Sequence, residues 1–277
     1  MDKPAGPTAH DAVSIVRRAV GARRAGHTGT LDPFATGLLV VLTGRATRLA
    51  RFLSGLKKTY TGKIRLGAVT DTGDPTGEII GRSAGWRELS DERIESELHS
   101  LTGPISQVPP AYSAKKVAGQ RAYRLARQGK PVKLEPREVC VFRFEMLRRV
   151  GDCLEFGCEV SSGTYIRALA RDLGTALGCG AYLEELRRVS VGPHQVAAAV
   201  PLDSVGSDTE LRPPLQAVSH LPAVQLDEEA RRRVRHGQPV AAATTGGGPV
   251  ALVADATLVA VAQPQEGWLR PKVVLEG

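Results

Sequence analysis

Apolar positions recur along the chain with two periods, and each change of period marks the start of a new element. Val13, Val16 and Val20 fall at helical spacing, with Thr8 in position to cap the helix and Gly21 at its far end. Leu38 to Leu42 is a continuous run of leucine and valine, short enough for a strand buried on both faces. Helical spacing returns over Arg45 to Leu53, where Leu49, Phe52 and Leu53 face inward, Arg45, Arg48 and Arg51 face outward, and Gly55 closes the turn. Tyr60, Gly62, Ile64 and Leu66 then alternate with Lys63 and Arg65, which is strand periodicity. Ser90 is placed to cap a helix carrying Ile94, Leu98 and Leu101, and a basic helix is expected over Gln120 to Gln128. Cys140, Phe142, Phe144 and Met146, followed by Leu154, Phe156, Cys158 and Val160, alternate as two strands about a Gly151-Asp152 turn. Thr164 to Leu177 is helical again, with Ile166, Leu169, Ala170, Leu173 and Leu177 on one face and Gly178 as terminator.

Strands outnumber helices and do not alternate regularly with them. This favours an α+β fold with a mixed, largely antiparallel sheet flanked by helices over a doubly wound parallel sheet. Periodicity fades between Val200 and Leu221 as Pro201, Pro213, Pro214 and Pro222 accumulate. The expected organisation is a larger domain over 1–200, a linker over 201–221 and a small β module over 222–277. Within that module Asp227 can cap a short helix over Arg231 to Arg235, and Val250 to Val253, Leu258 to Val261 and Val273 to Leu275 read as strands.

Composition narrows the class. The chain of 277 residues is 42% hydrophobic, enough for a full core, and no apolar run approaches the ~20 residues of a membrane span. Cys140, Cys153, Cys158 and Cys179 lack the paired short spacings of a zinc or redox site, so no metal is expected and the thiols read as reduced in a cytoplasmic protein. Asp71 to Gly77 lacks the ligand spacing of a calcium loop, and no phosphate-cradling or dinucleotide motif is present, so no cofactor is expected. The formal charge is +8, with basic residues clustered at Arg17-Arg18, Arg23-Arg24, Lys57-Lys58, Lys115-Lys116, Arg187-Arg188 and Arg231 to Arg235. Such clusters suit a phosphate backbone.

The candidate chemistry lies in Gly26 to Gly44. Asp32 stands in a segment opened by Gly26 and Gly29 and stiffened by Pro33, immediately before the apolar run. Taken alone, Asp-Pro is an ordinary turn. The whole string His27, Thr28, Gly29, Leu31, Asp32, Pro33, Ala35, Thr36 and Gly37 resembles the active-site signature of the TruB family of tRNA pseudouridine synthases. The resemblance continues in order through Asp2-Lys3-Pro4, Lys58-Thr59-Tyr60, Arg65-Leu66-Gly67, Thr70-Asp71, Asp74, Tyr112-Ser113-Ala114, Ser162 to Arg167 and Leu186-Arg187-Arg188. One departure is Ala9, where the family often has Ser.

The resemblance implies isomerisation of uridine to pseudouridine at position 55 in the T-loop of tRNA, after extrusion of the base. It makes Asp32 the catalytic carboxylate, serving at C1′ or C6 or assisting elimination at C2′, and gives it Arg167 as ionic partner. It places Tyr60 against the uracil, Tyr165 and Leu186 in the pocket wall and His27 on the RNA. It also likens the terminal module to an RNA-binding PUA domain, expected to add affinity more than chemistry, and implies a monomer acting on the T-arm with no obligatory protein partner. Two other readings remain open at this point: an RNA-binding protein without chemistry, and a nucleoside hydrolase using Asp32 and Asp74 as paired carboxylates.

Overall fold

The computed structural model describes residues 1–112, 134–241 and 246–276, with the backbone of two short strands, Lys116–Val117 and Gln120–Arg121. The expected basic helix over 120–128 therefore begins on residues that form a strand, and the rest of it lies outside the described residues.

A mixed sheet of eight strands forms the centre of the larger unit. Its order runs Asp2–Lys3, Thr36–Leu38, Ala181–Val191, Lys58–Leu66, Cys153–Val160, Arg137–Val150 and Gly103–Gln107, with His194–Gln195 added beside Ala181–Val191. Thr36–Leu38 runs parallel to Ala181–Val191, and the other ladders of this sheet are antiparallel. Helices Ala9–Ala19, Asp91–Ser100 and Ile166–Ala176 flank it. The fold class is thus α+β, as the patterning indicates. The main core joins Ile64, Leu66, Leu154 and Phe156 from the sheet to Leu169 and Leu173 from the last of these helices.

Local capping accounts for several helix starts. Thr8 and Asp11 form a reciprocal capping box at the first helix, while Ser90 and Asp227 accept from the backbone amides of Arg93 and Ala230.

Two strand expectations need correction. Leu38 to Leu42 is not one strand: Thr36–Leu38 joins the large sheet, whereas Val41–Thr43 pairs with Ala25–His27. The leucines are all buried but serve different cores, Leu39 the main one and Leu42 a second cluster, so the chain must turn between them. On Arg137–Val150 the alternation breaks between Val141 and Arg143 at a register shift, which buries Val141 and leaves Phe142 exposed. Lys57 covers that ring, its Nζ 3.8 Å from the centroid.

The terminal module is a five-stranded sheet in the order Ala223–Gln225, Val250–Ala254, Thr257–Gln265, Trp268–Val274 and Val240–Ala241, with helix Glu228–Arg235 beside it. It is not loosely appended. Leu42, Leu49 and Leu53 share one buried cluster with Val218, Val253, Leu258, Val261 and Val273. Arg45 and Arg48, on the 3-10 helix Gly44–Leu49, donate to the carbonyls of Leu275 and Val274 at 3.0 and 2.7 Å.

Candidate active site

Asp32, Arg167 and Asp74 come from three distant stretches and meet at one guanidinium. Arg167 lies in the first turn of helix Ile166–Ala176 and is 5% exposed. Its Nε is 2.9 Å from Asp32 Oδ2 and its Nη1 is 3.3 Å from Asp74 Oδ2. The two groups of the first contact form an ion pair that joins the helix to the Asp32 loop. Nη1 and Nη2 also donate to the carbonyls of Thr72 and Tyr112 at 2.9 and 2.8 Å, which fixes the plane of the group.

The two carboxylates are not equivalent. Asp74 is buried and its oxygens are consumed: Oδ1 accepts from Thr72 Oγ1, Thr76 N and Thr76 Oγ1 at 2.8, 3.0 and 2.5 Å, and Oδ2 faces Arg167. Asp32 keeps 35% of its side chain accessible and is the carboxylate a substrate can reach. Burial pushes its pKa above the ordinary carboxylate value; Arg167 opposes this, the Asp74 charge adds to it, and Lys3 opposes it. Arg167 therefore works against a desolvation penalty and does not by itself set the ionisation.

Tyr60 lies on the central strand Lys58–Leu66, buried in the main core, and burial raises its phenol above the usual value while Arg188 opposes the rise. Leu186, on the neighbouring strand, is in the same cluster. Tyr165 is the N-cap residue of the Arg167 helix and half-buried, its backbone held from both sides by Gln107: Oε1 accepts from its amide at 2.8 Å and Nε2 donates to its carbonyl at 3.1 Å. His27 is half-buried on Ala25–His27, and burial, then Arg188 and His10, lower its pKa, so the imidazole is neutral at pH 7. Beneath the loop, Lys3 is fully buried and donates to the carbonyls of Pro4, Pro7 and Pro33 at 2.7, 2.9 and 3.2 Å, the last being the residue after Asp32. Burial lowers Lys3 to about 8, with Asp32 opposing.

Comparison with known proteins matches residues 17–166 to the N-terminal domain of TruB family pseudouridylate synthase, 167–218 to the tRNA pseudouridylate synthase B C-terminal domain and 222–275 to the C-terminal region of pseudouridine synthase II TruB. The chain belongs to the TruB family. It is similar to the tRNA pseudouridine synthase B of Thermobifida fusca, 45% identical over 287 residues and covering 100% of this chain and 97% of the relative. The protein of the same description from Geobacter sulfurreducens is 40% identical, covering 96% and 93%. Among solved structures, one titled as an H/ACA RNP bound to a substrate RNA containing 2′-deoxyuridine superposes with a TM-score of 0.76 at 25% identity, over 100% of this chain and 84% of that one. A Cbf5-Nop10-Gar1 complex gives 0.74 at 28%, over 100% and 82%. As a TruB-family enzyme the chain is an isomerase that converts uridine to pseudouridine in tRNA.

Gln107 and Lys3 make contacts to the site that the sequence does not display, and Asp74, the second carboxylate of the hydrolase reading, is paired with Arg167. Asp71 to Gly77 reads as a turn, and the turn is real, but the hydroxyls of Thr72 and Thr76, with that of Thr70 on the preceding strand, serve to hold Asp74 against Arg167. Asp74→Asn supplies a test of the electrostatics. If Asp32 is to act as an anion, activity is expected to fall as pH drops through its raised pKa. Removing the Asp74 charge lowers that pKa, and the acid limb of the single-turnover pH profile is expected to move to lower pH. A limb that stays in place or rises would show that the Asp74 charge does not act on Asp32.

Proposed function

We propose that this enzyme modifies the uridine at position 55 in the T-loop of tRNA, as a cytoplasmic monomer that needs no cofactor and no protein partner. The observation that carries the assignment of roles is the asymmetric pair on Arg167: one carboxylate sequestered by hydroxyls, the other accessible. The reaction breaks N1–C1′, turns the uracil and forms C5–C1′; C5 gives up a proton and N1 takes one, so nothing is oxidised or consumed. Asp32 is the catalytic carboxylate in this reading, and Arg167 holds it. Tyr60 stacks on the extruded uracil, Tyr165 and Leu186 wall the pocket, and His27 contacts the RNA. The module over 222–277 is read as a PUA-like RNA-binding domain following a linker over 201–221.

The sequestered state of Asp74 disfavours a two-carboxylate hydrolase, which needs both groups free to exchange protons or attack. The deciding experiment incubates purified protein, without added cofactor, with an unmodified tRNA transcript and maps pseudouridine by position. Modification confined to other positions would remove the T-loop assignment, and release of free uracil would favour the hydrolase.

Substitutions at Tyr60 separate its two capacities. Tyr60→Phe retains a stacking ring and is expected to bind tRNA normally yet turn over slowly, because the phenolic oxygen is lost from the place where C5 must shed its proton. Tyr60→Leu loses the ring as well, and binding should weaken by about 1–3 kcal/mol. Phe matching wild type in turnover would confine Tyr60 to stacking; Leu matching it in both measurements would make Tyr60 a core residue only.

A further inference from the structure

The strand Ala181–Val191 presents two adjacent arginines on opposite faces, and they do different work. Arg187 is partly exposed and pairs with Asp2, its Nη2 2.6 Å from Oδ2 and Nη1 3.1 Å from Oδ1. Arg188 is 2% exposed, among the largest fully buried side chains in the protein. Burying a guanidinium costs several kcal/mol unless its donors are satisfied. Here the satisfying groups are backbone carbonyls: Nε donates to Leu38 at 2.7 Å, Nη2 to Gly29 at 3.0 Å and Nη1 to Thr30 at 3.3 Å.

The placement of those carbonyls is what matters. Gly29 and Thr30 precede Asp32 in the chain and Leu38 follows it, so one planar group bridges both sides of the neck of the loop that carries the carboxylate. The neck has no slack on the other side either. Gly37 lies opposite Arg188 in the parallel ladder with φ +100, and a Cβ there would come 2.3 Å from the Arg188 carbonyl oxygen. In the antiparallel ladder on the other flank the Cα partner of Arg188 is Tyr60, whose phenol is pushed up by burial and pulled down by the guanidinium. The same side chain therefore borders the Asp32 loop and the ring proposed to meet the uracil.

We propose that Arg188 is a positioning residue for catalysis, its guanidinium closing the neck of the 29–38 loop so that Asp32 is held at the reacting atoms. This rests on Asp32 being the reacting carboxylate. A lysine keeps the charge but gathers its donors on one nitrogen, whereas Arg188 reaches its three carbonyls from three nitrogens spread across a rigid plane. Arg188→Lys and Arg188→Gln are compared with wild type in tRNA affinity, thermal midpoint and single-turnover rate at saturating tRNA. Both variants are expected to melt cooperatively and bind tRNA within about threefold of wild type, while the bound rate falls by about 100-fold, the scale of an ångström-level misplacement. Lysine is expected to give no rescue over glutamine.

Restoration of the rate by lysine would overturn the proposal in favour of a pure charge effect. A loss in affinity that accounts for the whole loss in activity would make Arg188 an RNA contact, and loss of the fold in the lysine variant would make it a residue of the core alone. Asp32→Asn, assayed in parallel, keeps the two layers apart. Activity in that variant removes the catalytic reading itself, whereas activity in Arg188→Lys removes only the positioning role.

Discussion

Asp32→Asn is expected to fold, to bind tRNA with near wild-type affinity and to lose single-turnover pseudouridine formation by several orders of magnitude. The substitution is isosteric and removes a charge whose burial is penalised, so the fold has little to lose. Arg167 keeps Asp74 and the carbonyls of Thr72 and Tyr112 as partners, so no buried cation is stranded. What disappears is the accessible anion. Thermal melting, filter binding and a saturating-tRNA rate together check this; a rate within tenfold of wild type would take Asp32 out of the chemistry.

Truncation before residue 222 carries the second large effect. A removable affinity module would leave a stable catalytic unit behind, but Leu42, Leu49 and Leu53 lose Val253, Leu258, Val261 and Val273 when the module goes. The truncated chain is expected to lose cooperative melting and to aggregate through the leucines it exposes. Leu49→Ala in the full-length chain probes the same cluster more gently, with an expected cost of about 2–5 kcal/mol in urea denaturation. A truncated chain melting cooperatively at the full-length temperature would show that the cluster is dispensable.

These cases also show what a sequence displays and what it conceals. Helix starts at Thr8, Ser90 and Asp227 were legible because a cap is a bond between near neighbours. The hairpin around Gly151-Asp152 was legible for the same reason. The division of Leu38 to Leu42 between two sheets was not, because all its side chains are apolar and only distant partners decide which core each one joins. Exposure of Phe142 depends on a register shift against Cys153–Val160, which alternation along one strand cannot reveal. Asp32 and Arg167 were found as a pair through family likeness, since nothing in their spacing brings them together. Arg188 belongs both to the family motif and to a basic cluster, yet strand periodicity puts it on the face of Leu186 and Ser190. An arginine in phase with core residues is the signal that a basic-cluster reading passes over.

The core beneath Gly44–Leu49 has a consequence for biosynthesis. Leu42 and Leu49 are separated from Val261 and Val273, with which they share that core, by most of the 277-residue sequence. Contacts of such long sequence separation form late. During translation the segment after the Asp32 loop must wait with its leucines uncovered until the strands of the terminal module have been made, which makes it a natural site for chaperone engagement and leaves the Asp32 loop unsupported on that flank until then.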